Sequence, residues 1–279
     1  MASGGLPPTR VIYYHCVADL TGRGRRGRPD DAGAMITPPA NVEAHIALLR
    51  ELGYRFSTAG ELARAWQGDL PPRGIAVLTF DDGWQDGLTT VAPMLDRLGV
   101  RATFFICTSG FGKRFARFGG ASVMTEDEAR ALHESGMELA SHTVSHPDLR
   151  TLTDAQLDIE LTSSREAVEA LTGEPCATLA YPSGWHDRRV ERAVADAGYE
   201  LAFRARRGPW RRMAVPRVQA PTIRAPETLV KWLRLSGGWR AGEWAAADHA
   251  VQLRSAGARG VTAARALGRS RSDSVEPKA

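Results

Sequence analysis

The chain has 279 residues, 43% hydrophobic and 24% charged, and its 36 basic and 32 acidic side chains leave a net charge of +4. This suits one α/β domain of the larger kind with a sizeable core, and excludes a chain too polar to fold. The basic excess sits in Arg23, Arg25, Arg26 and Arg28 and in the tail from Arg254 to Lys278, with no aromatic residues interleaved, so nucleic acid is not an expected partner.

Cys16, Cys107 and Cys176 lie far apart and form no CxxC pair, which argues against a disulfide framework or a zinc finger. No apolar run approaches the roughly 20 residues of a membrane-spanning helix. The first residues lack the basic and apolar regions of a signal peptide, so a cytoplasmic location is expected.

From Arg10 onward, short apolar runs alternate with helical patterns. Val11–Tyr14 reads as a first buried strand. Asn41 is the expected cap of a helix carrying Val42, Ile46, Leu49 and Leu52 and ending at Gly53. Further strands are expected at Ile75–Phe80, Ala102–Ile106, Met137–Ala140, Thr178–Tyr181 and Glu200–Phe203. Thr125 and Glu128 form a capping-box pattern. After Thr153, Leu157, Leu161, Val168 and Leu171 fall on one helical stripe. Repeated strand–helix order argues a parallel sheet, and short strands apolar on both faces suit a barrel with its chemistry at the C-terminal strand ends. From Ala241 the chain reads as one helix and a basic, flexible tail. The expected division is therefore a catalytic domain over residues 1–240 and an extension over 241–279.

The strand Ile75–Phe80 runs into Asp81-Asp82-Gly83. Two adjacent carboxylates there are costly unless a cation or hydrogen bonds satisfy them, although Asp-Gly is also a common turn. A second motif sharpens the reading. Ser141-His142-Thr143-Val144-Ser145-His146 follows the strand Met137–Ala140 and places two histidines four residues apart. One carboxylate and two imidazoles, with positions left open, make a hydrolytic metal site and not a closed structural one.

Thr79-Phe80-Asp81-Asp82-Gly83 with Ser141-His142-Thr143-Val144-Ser145-His146 resembles the first two motifs of the polysaccharide deacetylases, carbohydrate esterase family four. The resemblance runs from about Val11 to Val218. It includes Tyr14-His15, Ala102-Thr103-Phe104-Phe105 and Ala180-Tyr181-Pro182-Ser183-Gly184, and it is greatest to the branch of the poly-N-acetylglucosamine deacetylases. It implies a distorted (β/α)7-type parallel barrel. It also implies Asp81 as general base, and Asp82, His142 and His146 as ligands of a divalent metal: zinc, with cobalt, nickel or manganese acceptable. The N–H of Ser183 becomes the oxyanion donor, where many relatives carry Tyr.

Two departures matter. Many relatives begin the third motif with an Arg that orients the catalytic Asp; this chain has Ala180 there, and Arg217 is the candidate replacement. Many also supply an acid through a late Leu-x-His, which is missing. His15, at the end of the first strand, is preferred as acid or oxyanion partner over His186, and His249 falls in the extension. Trp84 and Trp185 follow motif residues and are expected to line the cleft, whereas Asp148 and Asp187 read as loop and cap residues. The expected function is metal-dependent removal of the N-acetyl group of an amino sugar or glycoconjugate. A cyclic imide or ureide hydrolase on the same scaffold is the rival, and a non-catalytic carbohydrate-binding module is the reading of another class.

Overall fold

Period-two alternation along short strands decides which side chains reach the interior. In the computed structural model, which describes residues 6–19, 35–115, 121–205, 207–220 and 233, six parallel strands follow in chain order. They are β1 (Arg10–Tyr14), β2 (Ile75–Asp81), β3 (Thr103–Ile106), β4 (Glu138–Ser141), β5 (Thr178–Ala180) and β6 (Leu201–Arg204). Each lies within a residue or so of its expected position, and they hydrogen-bond side by side in that order.

A last strand comes in two pieces. Val215–Pro216 (β7) pairs with β6, Phe203 opposite Val215. Val218–Gln219 (β8) pairs with β1, Ile12 opposite Val218 and Tyr13 opposite Gln219. Only Arg217 separates the two pieces. Its N–H donates to Arg204 O at 3.1 Å, and Ala220 N donates to Tyr13 O at 2.9 Å. The chain thus bridges both edges and nearly closes the expected parallel (β/α)7-type barrel.

The helices are α1 (Pro39–Glu51), α2 (Ala59–Ala65), α3 (Ala92–Arg97), α4 (Glu126–Glu134), α5 (Asp154–Thr172) and α6 (Arg188–Asp196). Two clusters divide the apolar side chains. Val11, Val77, Phe105, Ala140, Ala180, Phe203 and Val215 fill the interior, and Ala59, Leu62, Ala63 and Trp66 of α2 and its end plug it from below. Ile12, Tyr14, Leu78, Phe80, Phe104 and Leu179 point outward, against Val42, Ile46, Leu157 and Leu161 of the helices. Each fully buried Val, Leu, Ile or Phe contributes roughly 1.5–3 kcal/mol. In β2 the inward set Ile75, Val77 and Thr79 continues to Asp81, which is why a carboxylate ends up at the barrel mouth.

The plug is tied to the barrel through its helix N-terminus, whose orphan N–H groups need partners. Ala59 N donates to Thr103 Oγ1 at 2.8 Å and Gly60 N to Glu138 Oε1 at 2.9 Å. A Cβ at Gly60 would stand 2.2 Å from that oxygen, so any larger residue would displace the Glu138 carboxylate from this contact. Thr58 and Glu61 form a capping box for α2, as Thr125 and Glu128 do for α4.

Helix α1 departs from expectation. It starts at Pro39, two residues before the expected Asn41 cap, because a proline ring at the first helical position already holds the helical φ. The Arg23–Arg28 loop and the extension from Ala241 lie outside the described residues. Among the described residues no helix is long and apolar enough to cross a membrane.

Candidate active site

The mouth of the barrel opens into a cavity of about 670 Å³, walled in part by His15, Asp81, Asp82, His142, His146, Ser183 and Arg217. All seven residues singled out in the sequence therefore reach one cleft, at the C-terminal ends of the strands.

Asp81 is 4% exposed and grips Arg217 with both oxygens, Nη1 to Oδ1 and Nη2 to Oδ2, each at 2.7 Å. Arg217 Nη1 also donates to Thr79 Oγ1 at 3.2 Å, and the guanidinium carbon lies 4.6 Å from the ring centre of Tyr13 and 5.6 Å from that of Phe105. Such a fork locks the carboxylate plane as no lysine can. Burial alone would push the Asp81 carboxyl up. The Arg217 charge and His142 outweigh it and hold the group below the usual carboxylate range.

Asp82 turns away from the strand with φ 74°. Its Oδ1 lies 3.5 Å from His142 Nε2 and 3.7 Å from His146 Nε2, and the three ligand atoms fall within 4.8 Å of one another. Ligands each about 2.1 Å from a tetrahedral ion stand roughly 3.4 Å apart, so this donor set fits a divalent cation. Trp84 Nε1 donates to Asp82 Oδ2 at 3.2 Å, which leaves Oδ1 to face the histidines.

His142 is fixed from behind. Its Nδ1 meets Ala180 O at 2.7 Å, and because a carbonyl only accepts, Nδ1 carries the proton. Burial pushes the imidazole down to about 4, against the opposing pull of Asp81 and Asp82, so it is neutral near pH 7. Neutral and protonated at Nδ1, His142 aims a bare lone pair from Nε2 at Asp82 Oδ1. Two acceptors 3.5 Å apart repel unless something positive lies between them.

The backbone around the cleft is unusual. Among the described residues, four residues other than glycine have positive φ: Asp82, Thr143, His146 and Ser183. Two of these are metal-ligand candidates, Thr143 lies between the histidines, and Ser183 is the oxyanion candidate. Non-glycine residues in this region cost of order 1–3 kcal/mol each and persist where surroundings dictate them. Next to Ser183, Gly184 has φ 71°, and a Cβ there would lie 2.5 Å from Ala205 N.

His15 and His186 differ in placement. His15 lines the cleft, edge-on to Tyr13 at 5.6 Å between ring centres. His186 lies outside the cleft wall, stacked 4.7 Å from Tyr181, with Nδ1 3.2 Å from Gly184 O and Nε2 3.4 Å from Glu191. Trp84 lines the cleft as expected. Trp185 does not: it is 41% exposed, with the Arg150 guanidinium 5.1 Å from its ring centre. Asp148 caps a short helical turn through Arg150 N, and Asp187 caps α6 through Val190 N.

Residues 69–202 match the family model for polysaccharide deacetylase. Over that segment the chain is similar to the polysaccharide deacetylases. It is 27% identical over 192 residues to YxkH of Bacillus subtilis, a protein assigned by name to the polysaccharide deacetylases, covering 68% of this chain and 62% of YxkH. It is 30% identical over 128 residues to the peptidoglycan-N-acetylmuramic acid deacetylase PdaA of the same organism, covering 45% of this chain and 44% of PdaA. The chain thus spans less than two thirds of these relatives. In fold it is similar to the deacetylase PplD of Streptococcus pyogenes, solved with acetate, with a TM-score of 0.66, 22% identity, and coverage of 83% of this chain and 99% of PplD.

Three features of the cleft escaped the sequence reading: Tyr13 beneath Arg217, the Trp84 bond to Asp82, and Lys113 and Cys107 in the wall. For Tyr13 a signal existed. Alternation from Val11 points Tyr13 inward and sends Tyr14 outward, where its hydroxyl meets His45 Nδ1 at 3.1 Å.

Proposed function

We propose that this chain is a polysaccharide deacetylase that removes the N-acetyl group of an amino sugar or glycoconjugate by metal-dependent hydrolysis. The observation that carries the reading is the facing pair of acceptors, His142 Nε2 and Asp82 Oδ1, 3.5 Å apart with His146 Nε2 alongside. Asp82, His142 and His146 would hold a divalent cation, zinc by preference, with cobalt, nickel or manganese acceptable to the same donors. When bound, such an ion supplies a Lewis acid for the acyl carbonyl and acidifies water.

The protein's own residues do the rest. Asp81, kept ionised by Arg217, takes the proton of the attacking water. Arg217 orients that carboxylate, as its two-point grip supports. The N–H of Ser183, a residue of the same cleft wall, stabilises the oxyanion. His15, across the same cleft, gives a proton to the departing amine. The cavity volume, about 670 Å³, suits a small number of sugar units with room for the acyl group. Names of relatives such as PdaA support N-acetylated sugar as the substrate class.

The test is acetate release by protein stripped of metal and reloaded with zinc, presented with N-acetylated sugars of graded length. Release only from metal-loaded protein is expected. No release from any sugar, with turnover of a cyclic imide or ureide instead, would replace this reading by its rival.

A further inference from the structure

The two histidines of the candidate metal site are held by different means. The side chain of His142 is 2% exposed and its outer nitrogen is anchored on Ala180 O. His146 is 38% exposed, and its Nδ1 meets no acceptor among the described residues. A metal-binding imidazole ordinarily donates its other N–H to an orienting group. Something else must hold His146 in place.

We propose that Glu160 of α5 is a positioning residue for His146, acting through the turn between the two histidines. Its Oε2 accepts from Val144 N at 2.8 Å and Ser145 N at 3.0 Å, and its Oε1 accepts from Ser145 Oγ at 2.6 Å. One carboxylate therefore holds three donors on two consecutive residues immediately before His146. Thr143 at φ 68° and His146 at φ 60° flank that pair, conformations the turn does not keep without being dictated. The other ties of the turn are weaker neutral bonds: Thr143 Oγ1 accepts from His146 N and Ser141 Oγ from Thr143 N, each at 3.1 Å, while Thr143 O and Val144 O accept from Thr108 N and Ser109 N at 3.2 and 2.9 Å. Glu160 is rigid because Leu157 and Leu161, on the same helix, are buried in the outer core. This rests on the metal reading given above and adds a residue that lies in neither the Asp81-Asp82 motif nor the histidine motif.

The test uses the full chain, stripped by chelator and titrated with zinc against a chromophoric competitor, and separately loaded with cobalt. Glu160→Ala should weaken zinc binding about 10–100-fold. Its cobalt spectrum should shift toward that of His146→Ala, while the metal-free protein melts as the wild type does. Glu160→Gln keeps an acceptor for the two N–H groups and should recover most of the affinity. Wild-type zinc affinity and cobalt spectrum in Glu160→Ala would overturn the proposal, as would a loss matched by a fall in the folded fraction. Should Glu160→Ala fail to fold, Ser145→Ala removes one of the three bonds and should move affinity in the same direction by less; unchanged affinity there also overturns it. If the wild type binds neither ion, the metal reading itself falls and takes this role with it. Normal wild-type binding with an indifferent Glu160 sinks the positioning role alone.

Discussion

Arg217 and Asp81 are 136 residues apart in sequence and share two hydrogen bonds of 2.7 Å at the barrel mouth. The pair is almost fully buried, with side-chain exposures of 1% and 4%, so neither charge has water to fall back on. Removing one partner strands the other, at a cost of about 3–5 kcal/mol. Arg217→Lys keeps the charge and loses the fork. We expect its turnover to fall roughly 10–100-fold with zinc content unchanged. Steady-state kinetics with metal analysis check this, and full activity in the lysine variant would show that Arg217 supplies charge alone.

Asp81 and Asp82 are neighbours with separable roles. Asp81→Asn should reduce hydrolysis by roughly 10²–10⁴-fold and leave zinc bound, because an amide cannot take the proton of water. Asp82→Asn should weaken zinc itself, since Oδ1 is the atom facing both histidines. Metal loss in Asp81→Asn would make that residue a ligand.

His15 is the acid candidate that lines the cleft. His15→Ala should lower kcat about 100-fold with KM little changed, because protonating the leaving amine matters mainly in the transition state. His186→Ala, which removes a ring stacked on Tyr181 outside the cleft wall, should leave kcat near wild type. The opposite pattern would exchange the roles.

Stability should depend on acidity through two buried histidines. Burial pushes both His45 and His142 down to about 4 from an ordinary 6.5. Between those values the unfolded chain binds protons that the native protein refuses, so stability rises with pH across this window and is lost as pH falls from about 6.5 to about 4. Unfolding free energies of the metal-free protein at pH 7, 5.5 and 4.5 should decline by a few kcal/mol, less the opposing contribution of Asp86, whose carboxyl burial pushes up to about 6. A flat profile would show that the imidazoles accept protons without unfolding.

How much the sequence disclosed follows from how far each interaction reaches. The strands, the capping box at Thr125 and the buried stripe of α5 depend on neighbours within a few residues, and they form where periodicity placed them. Asp81, Asp82, His142 and His146 stand in two short motifs, each at the end of one strand. Arg217 was legible only as a candidate, because its fork is made across the whole barrel. Glu160 had no local sign at all: on the surface of a helical pattern, a carboxylate bonded to backbone N–H groups looks like any solvated acid. The first turn of α1 and the placement of Trp185 went astray where Pro39 and Arg150 decided the outcome.

The two-piece strand around Arg217 has a temporal consequence. During synthesis Glu160 and Ala180, which hold the two histidines, follow soon after the donor set of Asp82, His142 and His146 is complete at residue 146. The partner of Asp81 arrives 71 residues later, on the very segment that joins β6 to β1. Pairings at such separation in sequence form late, because the entropy of closing the intervening loop must first be overcome. On the proposed mechanism the general base lacks its orienting partner until that segment is in place, so turnover waits on closure of the barrel.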